Sequence, residues 1–405
     1  MSTTRRRFLS TAAGTSLVSL SPVVPNFLLH ASAAAGKKSG DNILVVVQLS
    51  GGNDGLNTVI PFGNDEYYKN RTTLAIGRNQ IRTIDDYAGF HPAMSGFADL
   101  LEAGKLGIVQ GVGYPNPNRS HFESMDIWHT CQRKKGSRPT GWLGRFLDAS
   151  QRAAGGDVPG LHLGGEDHPL ALAGENIHLP SIRSFERFRL RDLDAQRVRE
   201  TLEADAAKRA DDDLLRFVRS TAVSAIGASR RVESSLKKYR TNVTYPQTGL
   251  AQKMKTVAQL IDADLSTRVY YLSLDGFDTH ANQEAAHTAL VGELSAAVAA
   301  FINDLAAHGH GERVMVMSFS EFGRRVKENA SRGTDHGAAA PMFLAGSKVK
   351  SGLIGKHPSM TDLQIGDLKH HTDFRQVYAA ILKHWLGWNP TEIVGGEYQP
   401  ITILS

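Results

Sequence analysis

The chain has 405 residues, 41% apolar and 21% charged, an ordinary globular composition for one large α/β domain or two smaller ones. Its formal charge is +5, but Arg5, Arg6 and Arg7 lie in a segment expected to be removed, and 5 − 3 leaves +2, too little for a nucleic-acid-binding surface. Cys131 is the single cysteine, which excludes an intrachain disulfide and a cysteine-based zinc site.

Residues 1–35 read as an export signal. Thr4-Arg5-Arg6-Arg7-Phe8-Leu9-Ser10 carries a twin arginine, a modestly apolar stretch runs from Thr11 to Leu29, and Ala31-Ser32-Ala33 supplies an A-x-A cleavage site. Pro22 and Pro25 break the helical periodicity that an amphipathic N-terminal helix would need. The twin-arginine route carries folded proteins, so the expected location is periplasmic or secreted, with the twin-arginine translocation machinery as a partner. Beyond the signal no apolar run is expected to reach the roughly 18–20 residues of a spanning helix, which predicts a mature chain without a membrane span.

The mature chain, 41–405, is expected to form a single domain. Ile43 to Leu49 is a near-continuous apolar run, the pattern of a strand buried on both faces of a parallel sheet, and it leads into Gly51-Gly52-Asn53-Asp54-Gly55. Ala93 to Ala103 has helical spacing, Gly104 ends it, and Leu106 to Val112 gives a second strand, a βαβ rhythm. Tyr114-Pro115-Asn116-Pro117-Asn118-Arg119-Ser120-His121-Phe122-Glu123 then combines turn chemistry with a helix to about Cys131. Ser120 and Glu123 have the spacing of a capping box. A hydroxyl at a helix N-terminus is also well placed to attack a phosphoryl group, and the two roles are compatible.

Thr140 to about Ala173 is glycine-rich, with a strand expected at Leu170 to Leu172. A charged, alanine-rich stretch at about 187–245 reads as a helical insertion covering one side of the sheet. Arg268 to Leu274 is the next strand and ends in Asp275-Gly276-Phe277-Asp278-Thr279-His280. A helix over about Gln283 to Ala307 follows, stopped by His308-Gly309-His310-Gly311, whose histidines suit a helix C-terminus rather than a metal. Val314 to Phe319 and Pro341 to Ala345 are strands. Between them lie Ser320-Glu321-Phe322-Gly323-Arg324-Arg325 and Arg332-Gly333-Thr334-Asp335-His336-Gly337, and His370-His371-Thr372-Asp373 precedes an amphipathic helix from Phe374 to Leu386.

Four polar clusters at the ends of apolar runs, spread along the whole chain, predict one site at the rim of a parallel sheet. They offer Asp54, Asp278, His280, Asp335, His336 and His371, enough oxygen and nitrogen ligands for two divalent ions with three each and open positions for substrate. Two such ions about 4 Å apart clamp the attacking and leaving oxygens of an in-line displacement. His91 and His121 read as packing or loop-bonded histidines.

Gly-Gly-Asn-Asp-Gly, Tyr-Pro-Asn-Pro-Asn-Arg-Ser-His-Phe, Gly-Phe-Asp-Thr-His, Ser-Glu-Phe-Gly-Arg, Gly-Thr-Asp-His-Gly and Thr-Asp-Phe-Arg-Gln-Val-Tyr together resemble the exported bacterial domain-of-unknown-function family 1501, described as sulfatase-like and placed in the alkaline phosphatase superfamily. The resemblance covers essentially the whole mature chain. It implies an alkaline phosphatase/sulfatase-like α/β fold with a mostly parallel sheet sandwiched by helices. It also implies that Asp54, Asp335 and His336 hold one metal, that Asp278, His280 and His371 hold the other, and that Ser120 is the nucleophile. Asp275 rivals Asp278, because alkaline phosphatases space these two ligands more widely.

No Cys/Ser-x-Pro-x-Arg sequence is present, which argues against a formylglycine sulfatase, and no Gly-x-Ser-x-Gly elbow, which argues against a serine esterase. The expected function is hydrolysis of a small-molecule or polymer-borne phosphate or sulfate ester. Ser120 would act with two divalent ions, zinc first and calcium or magnesium as alternatives, and Arg119 or Arg324 would pair with the ester's oxygens. The competing expectation is a non-catalytic protein of the same fold that binds an envelope polymer or partner.

Overall fold

A computed structural model describes residues 41–133, 136–151, 159–177, 179, 181–182, 238–265 and 267–405. The signal expected over 1–35, and the insertion expected at about 187–245 except for its last eight residues, lie outside the described residues.

Among the described residues nine strands form the central sheet: β1 Ile43–Ser50, β2 Leu106–Gly113, β3 Gly160–Leu163, β4 Ser181–Ile182, β5 Val269–Asp275, β6 Val314–Ser320, β7 Ala340–Ala345, β8 Gly352–Ile354 and β9 Thr372–Asp373. Their order is β8-β2-β7-β6-β1-β5-β3-β4, with β9 also on β2. β6, β1, β5, β3 and β4 run parallel. β7 is antiparallel to both its neighbours, which leaves β2 running the same way as β6. The α/β class with a mostly parallel sheet is as expected.

The main helices are α1 Asp65–Asn70, α2 Ser95–Glu102, α3 His121–Thr130, α4 Trp142–Gln151, α5 Gly249–Asp262, α6 Gln283–Ala307 and α7 Phe374–Ala380. They divide between the two faces of the sheet. Phe343 on β7 lies opposite Ser318 on β6 and shares its face, where it meets Phe97 of α2 at 5.0 Å between rings. The next residue, Phe319, points the other way and stacks on Trp128 of α3 at 5.2 Å. Trp128 stacks in turn on Phe374 of α7, and Trp142 of α4 stacks on Tyr378 of α7. α6 packs against α2 and α5, so three helices cover one face and α3, α4 and α7 cover the other.

Several expectations need correction. Leu170–Leu172 is a short 3-10 turn, and the strand in that region is Gly160–Leu163, which pairs with β5. The last long helix keeps α geometry only through Ala380 and widens into a π turn over Ile381–Trp385. The Ser120 side chain makes no cap bond, its amide donates to Asn118 Oδ1 and Glu123 turns to Arg138; a capping box forms instead at Asp373 and Gln376. One helix past residue 35, α6, does have the length and apolarity to cross a membrane. In this fold it is a core helix, burying Val291, Leu294, Val298, Phe301 and Leu305.

The register puts the site where the pattern demanded. Leu49 lies opposite Ser320 and Ser50 opposite Asp275, so β1, β5 and β6 release their loops at one edge. β2 ends at the same edge and delivers the turn that starts α3. α3 is anchored there by its aromatic stack, so Trp128→Ala should lower stability by about 3–5 kcal/mol, read as a lowered urea midpoint with an unchanged m-value.

Candidate metal centre

The loops after β2, β5 and β6 bring His121, Asp278, His280 and His336 together. One ligand atom each from His121, Asp278 and His336 lie within 4.8 Å of one another. Asp278 Oδ1 is the centre: His280 Nε2 stands 3.1 Å away, His336 Nε2 3.1 Å and His121 Nε2 3.4 Å. His280 Nε2 and His336 Nε2 are 2.9 Å apart.

The other nitrogen of each ring fixes what these atoms are. His336 Nδ1 sits 2.8 Å from the Arg119 carbonyl oxygen, which only accepts, so Nδ1 carries the proton and a neutral ring presents a lone pair at Nε2. His121 Nδ1 lies 2.8 Å from the buried Glu321 carboxylate, which accepts a hydrogen bond from the Nδ1 proton and raises the ring's pKa, and His121 Nε2 is buried with no hydrogen-bond partner. His280 Nδ1 faces Asp335 Oδ1 at 3.6 Å. Burial lowers the His336 pKa, which favours the neutral ring. Burial would raise the Asp278 carboxyl, but the hydrogen bond and charge of Arg324 hold it at about 2, so it is ionised. Two imidazole Nε2 atoms, of His121 and His336, and an ionised carboxylate oxygen thus face one point, with His280 Nε2 beside Asp278 and His336.

Acceptors packed this closely repel unless a cation lies among them. Tetrahedral zinc with bonds of 2.0–2.1 Å separates its ligand atoms by about 3.3 Å, close to the spacings found here. Glu321, the Arg119 carbonyl and Asp335 behind the rings are the outer partners that orient metal-bound imidazoles. The residues therefore fit one divalent ion with nitrogen and oxygen ligands.

Local sequence makes the approach of the loops feasible. Gly51 has φ +118°, and a Cβ there would lie 2.3 Å from the Asp278 amide nitrogen. A Cβ on Gly333 would lie 2.2 Å from the His280 carbonyl carbon. Arg324, fully buried, ties the loops together: it donates to the carbonyls of Gly51, Gly52, Phe277 and Thr334 and to Asp278 Oδ1.

Residues 41–397 match the family model described as protein of unknown function, DUF1501. The chain belongs to this family. No curated protein matches the sequence. Similar solved structures include the lipoteichoic acid synthase LtaP from Listeria monocytogenes, with 9% identity over 78% of this chain and 68% of that one and a TM-score of 0.36. Others are the phosphonate monoester hydrolase SpPMH from Silicibacter pomeroyi (9% identity, 88% and 75% covered, TM-score 0.42) and the C-terminal periplasmic domain of EcEptC from Escherichia coli (10% identity, 90% and 88% covered, TM-score 0.39). At these values the likenesses say nothing of what this DUF1501 chain binds or does.

Of the residues expected at the site, Asp278, His280, Asp335 and His336 come together, Asp335 behind His280. Asp54 stands apart from them, fully buried, with both carboxylate oxygens in a bidentate pair with Arg71 at 2.5 and 2.9 Å and a further bond from Gln283. His371 lies over Gly111 of β2, where a Cβ would meet its ring, and among the described residues no hydrogen bond or ion pair joins it to the cluster. Arg324 is not free to meet an ester, because its donors are committed to the protein. Arg119 pairs with the buried Asp367. Ser120 is exposed at the start of α3, its hydroxyl free of any cap bond. Asp275 is exposed at the end of β5, outside the cluster.

Sequence reasoning missed His121 and its partner Glu321. Both stood inside motifs already noted, Arg-Ser-His-Phe and Ser-Glu-Phe-Gly-Arg, and a histidine directly after a serine at a helix start in a strand-end loop was the available signal.

The Asp54–Arg71 pair has a measurable acid dependence. Burial raises the Asp54 carboxyl, but Arg71, with help from His287 and Gln283, holds it at about 2 against 3.8. A depressed carboxyl stabilises the fold above pH 3.8, and that contribution, about 2 kcal/mol, should disappear as pH falls from 3.8 to 2. Unfolding free energies across this range should show the drop in wild type and lack it in Asp54→Asn, which should also be less stable by about 3–5 kcal/mol at pH 7.

Proposed function

We propose that this chain is a metal-dependent hydrolase of phosphate or sulfate esters, with one divalent ion, zinc first, held by His121, Asp278 and His336, an open position for the ester, and His280 beside them. The observation that carries this reading is the convergence of the His121 and His336 Nε2 atoms on the Asp278 carboxylate, one residue from an exposed serine at a helix N-terminus. The ion count is revised from two to one because Asp54 is committed to Arg71 and Gln283, and His371 lies over β2.

The ion would supply positive charge to the ester's non-bridging oxygens and to the attacking oxygen. The chain's own parts do the rest. The first-turn amides of α3 have no helical acceptor and point at an anion placed there. Ser120 Oγ gives its proton to a water and bonds to phosphorus or sulfur as the bond to the leaving oxygen breaks, and the leaving oxygen takes a proton back from that water. A second water then attacks the seryl ester, breaking its Oγ bond, returning a proton to Oγ and releasing phosphate or sulfate. Arg324 holds Asp278 rather than the ester. We infer export by the twin-arginine route from the Arg5-Arg6 signal, consistent with a fold that binds its metal before translocation.

A second reading, metal-dependent binding of an envelope polymer without turnover, is favoured by one observation: Arg119 and Arg324, the guanidiniums expected on the ester, are both paired within the protein. Elemental analysis of mature protein purified without chelator, followed by aryl phosphate and aryl sulfate hydrolysis, separates the two. One equivalent of metal, lost in Asp278→Ala, and a rate reduced at least 100-fold in Ser120→Ala are expected. Metal without hydrolysis supports binding alone; full activity in Ser120→Ala removes the nucleophile, and no metal removes both readings.

A further inference from the structure

Gln283, the first residue of α6, is buried at the junction of the ligand loops and the Asp54 pair. Its side-chain nitrogen donates to Asp54 Oδ2 at 2.5 Å. Its oxygen accepts from Thr334 Oγ1 at 2.6 Å and from Thr279 Oγ1 at 3.1 Å. The orientation of the amide is forced: an ionised carboxylate only accepts, so the nitrogen must face Asp54 and the oxygen must take the two hydroxyls.

The two threonines are the decisive neighbours. Thr279 lies between Asp278 and His280, and Thr334 directly precedes Asp335 and His336. One amide therefore grips both ligand-bearing loops, which also bond to each other from Thr334 N to Thr279 O at 3.2 Å. Asp54 is immobile in turn, because Arg71 clamps it and itself donates to the Val326 and Arg325 carbonyls at 2.7 and 2.9 Å. A carboxylate that sequence alone places on the metal instead anchors the frame behind it.

We propose that Gln283 is a positioning residue for the metal centre, setting the separation of the Asp278–His280 and Asp335–His336 loops through Thr279 and Thr334. This rests on the metal reading above. Outer partners of this kind typically change metal affinity 10–100-fold when removed.

The test uses Co²⁺ as the probe ion, titrated into the chelator-treated full mature chain, with the visible d–d bands and the dissociation constant read together. Gln283→Ala should weaken Co²⁺ at least tenfold and shift the bands, while circular dichroism shows a folded protein. Tyr245→Phe is the control. It removes a 2.7 Å bond to the buried Asp304 on the same helix, so it should lower stability with no change in affinity or bands. Should Gln283→Ala not fold, Thr334→Val, which removes one arm of the bridge, carries the same expectation. Wild-type affinity and bands in the folded variant overturn the role of Gln283 alone. Failure of the wild type to bind Co²⁺ overturns the metal reading and this one with it.

Discussion

The site depends on one buried guanidinium. Arg324 leaves the end of β6 and donates to carbonyls of the β1 loop, the β5 loop and the Asp335–His336 loop, and to the Asp278 carboxylate. Those carbonyls sit where irregular backbone is buried; the Phe277 carbonyl also accepts from Thr279 N, but those of Gly51, Gly52 and Thr334 rely on Arg324. The charge also offsets the ionised Asp278. A planar fork with five donors is the side chain that can serve several diverging loops at once, and a lysine would not replace it.

Around that hub the chain separates two jobs that look alike in sequence. Carboxylates in fully enclosed positions, Asp54 and Glu321, are bonded on both oxygens or nearly so and act on other protein groups. Asp278 is about half exposed, and its Oδ1 faces three imidazole nitrogens. Buried ion pairs such as Asp54–Arg71 contribute little net stability relative to apolar packing, yet breaking one is expensive because it strands the other charge. Their value here is geometric, since the loops they tie carry the ligands.

Much of this was legible in the sequence. The near-continuous apolar run Ile43–Leu49 marked a strand buried on both faces, and the glycine loops after β1 and β5 marked where backbones meet. The direction of β7 was not legible, because an apolar run encodes burial and not strand polarity. Nor was the fate of Asp54, whose partner Arg71 belongs to a short helix end with no motif of its own. His121 is held in the cluster by Glu321, 200 residues later, and no local pattern reports such a contact. The Leu170–Leu172 run was too short for periodicity to distinguish a strand from a tight turn.

The most direct measurement is anomalous diffraction at the zinc edge from crystals of the mature chain grown with Zn²⁺. The account predicts a single ion 2.0–2.2 Å from His121 Nε2, His336 Nε2 and Asp278, with Asp54 still paired to Arg71. An ion bound by Asp54 or His371, or a cluster that stays closed on itself without metal, would contradict it.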